Sequence, residues 1–183
     1  MPGAAARLAD PAFRLALERG EDRAACDALV DAAFGPGRYA KTAERLREGN
    51  QARADLCFCA WGEGALVGSV RLWPVRIGGR AGLFLGPIAV ERAWRKHGIG
   101  AALVEAACAA AAEAGDGLVL LVGDPPFFGP LGFEAVPAGR ATLPGPVDPG
   151  RVLWRALRAG ALDGVAGEVA PSLPPRAGLT QAP

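Results

Sequence analysis

The spacing of apolar residues in the first half of the chain predicts a strand, two helices and then three strands in succession. Alternation over residues 13–18 predicts a strand that ends at Gly20. Apolar residues at helical spacing predict a helix over residues 21–34, which ends because the Gly-Pro-Gly series at 35–37 cannot continue it. A second, charged helix is predicted over residues 39–48. Strands separated by glycine turns are predicted over residues 56–61, 65–73 and 83–90.

The second half of the chain has the pattern of a parallel crossover. The strand over 83–90 is apolar on both faces, which is typical of a central position in a sheet. A helix is predicted over residues 98–114, and a strand over 118–122. An aromatic segment precedes a late strand over 151–157. We therefore predict an α/β fold with a mixed sheet, in which an antiparallel meander leads into one parallel β-α-β unit.

Length and composition place these elements in a single domain. The chain has 183 residues, and one domain usually holds ~100–200. We predict one domain over residues 1–158, followed by a loose C-terminal tail over residues 159–183 that is rich in glycine, proline and alanine.

The charge balance excludes several classes of function. Twenty lysines and arginines against 19 acidic residues give a net charge of +1, which argues against a nucleic-acid or membrane-surface binder. No apolar run reaches the ~18 residues of a membrane-spanning helix. The single histidine and the absence of a C-x-x-C pair argue against a metal site. The four cysteines are expected to be free thiols in a reducing cytoplasm.

The strand over 83–90 carries the first chemical signal. Pro87 removes a backbone donor from the middle of an apolar strand, and Gly86 beside it allows a kink. Such a strand should separate from a neighbour over part of its length. The separated edge would present unpaired N–H and C=O groups, with which an extended ligand that contains amides could pair.

The loop after this strand carries the second signal. Gly98 and Gly100 lie at the predicted start of a helix, where free N–H groups and the helix dipole favour phosphate, and Arg95 and Lys96 add charge. A P-loop is excluded because the lysine precedes the glycines, and a dinucleotide fingerprint is excluded because Leu103 occupies its third small position. A tight turn with solvated basic residues is the plain alternative.

These residues resemble the Gcn5-related N-acetyltransferase (GNAT) family, and within it the YhbS-type subgroup. Residues 95–100, Arg-Lys-His-Gly-Ile-Gly, match the family signature R/Q-x-x-G-x-G/A. Residues 128–133, Phe-Gly-Pro-Leu-Gly-Phe, match Y-x-x-x-G-F except at the first position. The segments at 34–38, 85–90 and 123–128 are similar to the subgroup. The resemblance implies a fold with two splayed parallel strands, between which the pantetheine of acetyl-CoA inserts.

The resemblance also implies where acetyl-CoA would bind. The backbone after the kink would meet pantetheine, the glycine loop would wrap the pyrophosphate, and two residues after the next strand would lie near the thioester. The residues expected to meet pantetheine are Ile88, Ala89 and Val90. The residues expected to wrap the pyrophosphate are Arg95, Lys96, His97, Gly98, Ile99, Gly100 and Ala101. The residues expected near the thioester are Asp124 and Phe128.

Catalytic groups cannot be assigned. The family often has tyrosine where this chain has Phe128, and phenylalanine cannot protonate the departing thiolate. Tyr39 is the only tyrosine. Candidate bases are not marked by spacing; they are Glu63, Glu91, Glu134 and His97. The acceptor site implied by the resemblance spans residues 34–50, with Arg38, Tyr39, Lys41, Trp61 and Trp73 as candidate contacts.

We therefore expect an N-acetyltransferase that passes an acetyl group from acetyl-CoA to a primary amine by direct attack in a ternary complex. A non-catalytic acyl-CoA-binding or sensing module is the alternative, motivated by Phe128. A phosphate-binding module unrelated to CoA is a third. Neither the acceptor nor the choice between monomer and homodimer can be derived from the sequence.

Overall fold

The computed structural model describes residues 13–173, which form one mixed sheet with helices packed on it. The helices are α1 (Arg23–Phe34), α2 (Thr42–Arg45), α3 (Ile99–Glu113) and α4 (Pro125–Phe128). The strands are β1 (Arg14–Leu17), β2 (Phe58–Gly62), β3 (Ala65–Ile77), β4 (Arg80–Val90), β5 (Leu118–Val122), β6 (Glu134–Ala135), β7 (Ala141–Thr142), β8 (Val152–Ala156) and β9 (Gly167–Pro171).

The sheet runs in the order β1-β2-β3-β4-β5-β8-β6, and β9 pairs with both β3 and β7. The β1 to β4 pairings are antiparallel, whereas β4 and β5 are parallel and are joined by α3. This topology confirms the prediction of an antiparallel meander that leads into a parallel β-α-β unit. Among the described residues no helix has both the length and the apolar character to cross a membrane.

Both faces of the central strands are buried, as the apolar pattern indicated. On one face Leu83, Val119 and Leu121 join a cluster with Leu103 and Ala107 of α3. On the other face the alternate strand residues join a second cluster; they include Phe84, Leu118 and Leu120. Because side chains alternate along a strand, only strands covered on both sides can be apolar throughout.

The second predicted helix is much shorter than expected. Residues 39–48 contain only the four-residue α2, preceded by a 3₁₀ turn over Pro36–Ala40. Lys41 separates them because its backbone is extended, with φ −79° and ψ 145°. The charged residues of this segment form ion pairs across the turn, in which Arg38 contacts Asp31 and Glu44.

The loose tail expected from residue 159 onward also needs correction. Residues 159–173 include β9, which pairs antiparallel with the end of β3 at Val75, Arg76 and Ile77. Val165 and Val169 are buried in the second core cluster, and this burial holds the segment against the sheet. Residues 174–183 of the predicted tail lie outside the described part of the chain.

Candidate active site

A gap opens between the two parallel strands at the centre of the sheet. β4 and β5 pair only at Leu83 with Val119 and at Phe84 with Leu120. Beyond Phe84, β4 continues for six residues with no pairing to β5, although it remains paired to β3 as far as Val90. The edge of residues 85–90 that faces β5 therefore has the unpaired backbone groups that the sequence predicted.

A bulge at Gly86 and Pro87 coincides with the start of the gap. The register with β3 passes from Leu85 opposite Leu72 to Ile88 opposite Val70, so two residues of β4 face one residue of β3. Gly86 has φ 130°, a conformation that L side chains rarely adopt. Its carbonyl accepts a hydrogen bond from Trp73 Nε1 at 2.6 Å. The bulge is thus held from the β3 side, while the opposite edge stays open.

The loop between β4 and α3 is exposed at the far end of this open edge. The side chains of Arg95, Lys96 and His97 are exposed, and Gly98 caps α3 in the left-handed conformation with φ 78°. No atom lies within 4 Å of the position that a Cβ on Gly98 would occupy. The N–H groups of residues 99–101 precede the first helical hydrogen bond and are free for an anion.

Two side chains of the loop are tied to nearby carbonyls. Arg95 Nε donates to the Val90 carbonyl at 3.3 Å, and His97 Nδ1 lies 3.1 Å from the Trp94 carbonyl. Arg95 therefore connects the loop to the end of β4. The predicted pantetheine edge and the predicted pyrophosphate loop are therefore adjacent, although the side chains of Ala89 and Ile99 are buried.

Phe127, rather than Phe128, is the exposed aromatic residue beside this surface. Its ring would lie 3.2 Å from a Cβ on Gly100, and Val90 Cγ2 would lie 3.8 Å from the same position. Phe127 is 43% exposed and Phe128 only 6%. The sequence pattern did not distinguish these neighbours, because two consecutive aromatic residues on a short helix have no period that marks one as buried.

Phe128 forms part of the wall of a cavity at the gap. Its ring packs edge-on against Phe127 and Phe133, with centroids 4.8 and 5.6 Å apart. Asp124 is not among the described residues that line this cavity, and it forms an exposed ion pair at 3.1 Å with Arg151, which does line it. Among the predicted cofactor contacts, Asp124 is therefore one whose side chain already has a charged partner.

The cavity, which we call the central cavity, has a volume of about 320 Å³ and spans the gap. β4 contributes residues 84–88, and β5 contributes Leu121 and Val122. The segment between α1 and α2 covers it, and residues 146–148 close another side. Thr42 Oγ1 and Arg45 Nη1 each donate to a carbonyl of that closing loop at 2.5 Å.

A second, polar cavity adjoins the central one and shares Arg38, Arg47 and Pro87 with it. Tyr39 and Trp73 line this second cavity, whereas Lys41 lines the central one. Of the expected acceptor contacts, Arg38, Tyr39, Lys41 and Trp73 therefore line these two adjoining cavities. Trp61 is not among the described residues that line either cavity.

Arg47 is a site residue that the sequence did not single out. Its side chain is 12% exposed and donates from Nη1 to Glu44 at 3.1 Å. Burial lowers the pKa of Arg47, and the Glu44 carboxylate opposes that effect. Nothing local distinguishes it from the other arginines, because its burial depends on distant parts of the chain packing over α2.

The candidate bases do not reach these cavities. Glu63, Glu91, Glu134 and His97 are all exposed, and they are absent from the described residues that line the two cavities. Tyr39 is 55% exposed, and its hydroxyl accepts a hydrogen bond from Arg38 Nη2 at 2.7 Å. Tyr39 therefore does not take the place that a tyrosine at 128 would occupy.

Arg71 fixes the first helix against the sheet below the polar cavity. It donates to Glu18 at 2.6 Å and to Asp27 at 2.6 Å. Burial alone would lower the pKa of Arg71, but these two carboxylates raise it above its ordinary value. The arginine stays charged at any working pH, and it ties α1 to β3 and to the end of β1.

Comparison with known proteins agrees with this architecture. Residues 23–126, more than half of the chain, match the family described as Acetyltransferase (GNAT) family. A search of curated proteins finds no match.

Solved structures give close matches over most of the chain. The GNAT family N-acetyltransferase YhbS from Escherichia coli in complex with CoA is 26% identical, with a TM-score of 0.76 over 88% of this chain and 91% of that one. A GNAT family acetyltransferase from Brucella melitensis in complex with acetyl-CoA is 28% identical, with a TM-score of 0.58 over 84% of this chain and 100% of that one. An acetyltransferase of the GNAT family from Staphylococcus aureus, at 16% identity, a TM-score of 0.56 and coverage of 80% and 100%, shares the fold.

Proposed function

Because the chain belongs to the Acetyltransferase (GNAT) family, we propose that it is an acetyl-CoA-dependent N-acetyltransferase whose thioester lies in the gap between β4 and β5. The observation that carries the proposal is the loss of β4–β5 pairing after Phe84, directly before an exposed glycine loop at a helix start. Two of the similar structures are complexes with CoA and with acetyl-CoA.

The residues present offer partners for the pantetheine arm and the pyrophosphate of acetyl-CoA. The open backbone edge of residues 85–90 offers amide partners for the extended pantetheine arm. Val90, Gly100 and Phe127 form an apolar rim beside that edge. The free N–H groups of residues 99–101, with Arg95 and Lys96 nearby, suit the pyrophosphate. We assign His97, Gly98, Ile99 and Ala101 to the same loop contact, and Ile88 and Ala89 to the pantetheine edge.

Acetyl-CoA supplies the thioester: the amine nitrogen bonds to its carbonyl carbon as the C–S bond breaks, and the proton lost by nitrogen balances the one gained by the thiolate. The chain contributes positioning, which accounts for much of the rate in such a transfer. A free N–H on the open edge of β4 can stabilise charge that develops on the carbonyl oxygen.

Proton transfer relies on solvent in this site. Phe128 lines the cavity without a hydroxyl group, and Asp148 is the only carboxylate among the described residues that line it. Asp148 already accepts a hydrogen bond from the Gly150 amide at 2.9 Å. An alkyl ammonium with a reference pKa near ~10.4 must lose a proton before it attacks. We therefore expect activity to rise with pH through the range in which the amine deprotonates.

The test is an assay of CoA thiol release with acetyl-CoA and a panel of primary amines, together with mass spectrometry of the amines. The proposal expects thiol release that depends on an added amine, and a product heavier by one acetyl group. Binding of acetyl-CoA without any amine-dependent release would instead support a sensing module. Binding of ADP as strong as that of CoA would support a phosphate-binding module.

Two further expectations remain proposals. A cytoplasmic location is supported by four cysteines that are all reduced and buried. The second is a homodimer, which measurement of the molecular mass in solution would test.

A further inference from the structure

Cationic side chains predominate around the central cavity. Four of the described residues that line it are basic, and Asp148 is the single acidic one. Arg151 is partnered by Asp124, and Arg38 by Asp31 and Glu44. Lys41 lies over the ring of Phe34 at 5.8 Å. The remaining cation, Arg47, is the most buried of the basic side chains in this wall, at 12% exposed.

Arg47 has fewer partners than a buried guanidinium requires. A guanidinium carries five N–H donors, and among the described residues Arg47 has one hydrogen bond, from Nη1 to Glu44. Glu44 is shared, because Arg38 Nη1 lies 3.5 Å from the same carboxylate oxygen. Arg47 Nε is buried with no hydrogen-bond partner. Buried charged groups are normally paired and hydrogen-bonded throughout. Because Nε is enclosed and Arg47 lines the cavity, Nη2 is the donor that can take a further acceptor there.

The position of Arg47 places that missing acceptor next to the reaction centre. Arg47 Nη2 would lie 2.9 Å from a Cβ on Gly86, and only the absence of that Cβ lets the guanidinium approach the bulge. Its central carbon lies 5.5 Å from the ring centroid of Phe84. Both residues are in the stretch of β4 where pairing with β5 ends. A small amine whose anionic group is held by Arg47 would thus be able to reach the proposed thioester position with its nitrogen.

Apolar side chains line the cavity between these polar groups. They include Leu121, Phe128 and Val147. The volume of about 320 Å³ is at the small end of the range for ligand pockets, so it suits an amine of modest size.

We infer that the acetyl acceptor is a small primary amine that also carries a carboxylate and an apolar body, and that Arg47 binds the carboxylate. A carboxylate suits this role because its two oxygens match the planar donors of a guanidinium. This inference rests on the proposed acetyl transfer. It adds the substrate class and assigns the selection of that class to Arg47.

The test compares amines with and without the carboxylate, with kcat/KM expressed per unprotonated amine, because an α-amino group deprotonates at lower pH than an alkyl amine. L-Phenylalanine and 2-phenylethylamine share the ring and the primary amine, and L-leucine and 3-methylbutylamine form a second pair. We expect kcat/KM to be at least about tenfold higher for the carboxylated member, as suits a charge-assisted bond in a buried site. Equal or faster transfer to the neutral members would overturn the inference and leave the transferase in place. No transfer to any of the four amines or the wider panel, despite acetyl-CoA binding, would refute the transferase and the inference with it.

Substitution of Arg47 separates a role in binding from one in folding. Arg47→Gln removes the charge and the guanidinium but keeps a polar side chain that can still donate a hydrogen bond. We expect KM for the carboxylated amine to rise about tenfold, while the Kd for acetyl-CoA and the KM for the neutral amine stay within about twofold. Arg76→Gln, an exposed substitution outside both cavities, serves as the matched control. Equal losses on both members of a pair, or an unchanged KM for the carboxylated amine, would contradict the inference.

Discussion

Replacing Gly123 with alanine should destabilise the protein and displace the aromatic wall of the central cavity. A Cβ at this position would lie 2.2 Å from Phe128 Cε2, 2.6 Å from Phe128 Cδ2 and 3.0 Å from Leu121 Cδ1. Carbon atoms in contact prefer about 3.5–4.0 Å, so the Phe128 ring must move by more than about 1 Å. The ring cannot turn away freely, since Phe127 and Phe133 pack against it.

The expected cost is that of overpacking a well-filled core, about 1–3 kcal/mol in the free energy of unfolding. For a chain of this size each 1 kcal/mol shifts Tm by roughly 2–4 °C, which predicts a fall of about 2–12 °C. The displaced ring would also move against the space where the thioester and acceptor meet. We therefore expect a lower kcat/KM in addition to the lower stability.

The assay is thermal unfolding followed by circular dichroism, with Gly37→Ala as the matched control. Gly37 lies in the 3₁₀ turn over Pro36–Ala40, outside the left-handed region, and no atom lies within 4 Å of its Cβ position. Alanine there should leave Tm unchanged or raise it slightly. The same Tm for Gly123→Ala and Gly37→Ala would refute the packing assigned to Phe128.

Three other predictions concern the site and the core. Phe128→Tyr supplies a hydroxyl near the leaving thiolate and should raise kcat with little change in KM; an unchanged kcat would show that thiolate protonation is not rate-limiting. Gly98→Asp places negative charge at the start of α3 and should raise the Kd for acetyl-CoA at least about tenfold. Gly115→Asp is the control, at an equally open position of positive φ at the other end of α3, and it should leave the Kd for acetyl-CoA unchanged. Equal Kd values for the two variants would argue against the assigned loop. Burial raises the pKa of both Cys57 and Cys108 to about 11, so roughly one thiol in a thousand is ionised at pH 8; both should resist iodoacetamide in the native protein and react after unfolding, and rapid native labelling would contradict their burial.

The sequence predicted the kinked strand and the glycine loop because their signals are local. A proline inside a strand that is apolar on both faces has few structural explanations, and the bulge at Gly86 and Pro87 is the one observed. Glycines after basic residues at a helix start likewise have local meaning, and Gly98 caps α3 as expected. The residue ranges of β5 and α3 followed from their apolar runs within a residue or two.

The acceptor side could not be predicted in the same way, since its geometry comes from contacts between distant residues. Arg47 looks like a solvated residue of a charged helix until residues 144–147 pack over α2 through Thr42 and Arg45. β9 was missed for a similar reason. Its few apolar residues become a strand only because the end of β3 offers a free edge. Pattern within a segment cannot reveal a partner that is 90 residues away.

Hydrogen–deuterium exchange with and without acetyl-CoA tests the central claim most directly, because it reports on the backbone groups that the gap leaves unpaired. The account predicts that acetyl-CoA slows amide exchange in residues 85–90 and in the loop and helix start over residues 95–101. Exchange in β9 should be unchanged, because β9 pairs with β3 at residues 75–77, away from the part of β3 that pairs with residues 88–90. Saturating acetyl-CoA that leaves exchange over residues 85–90 unaltered would contradict the placement of the thioester between β4 and β5.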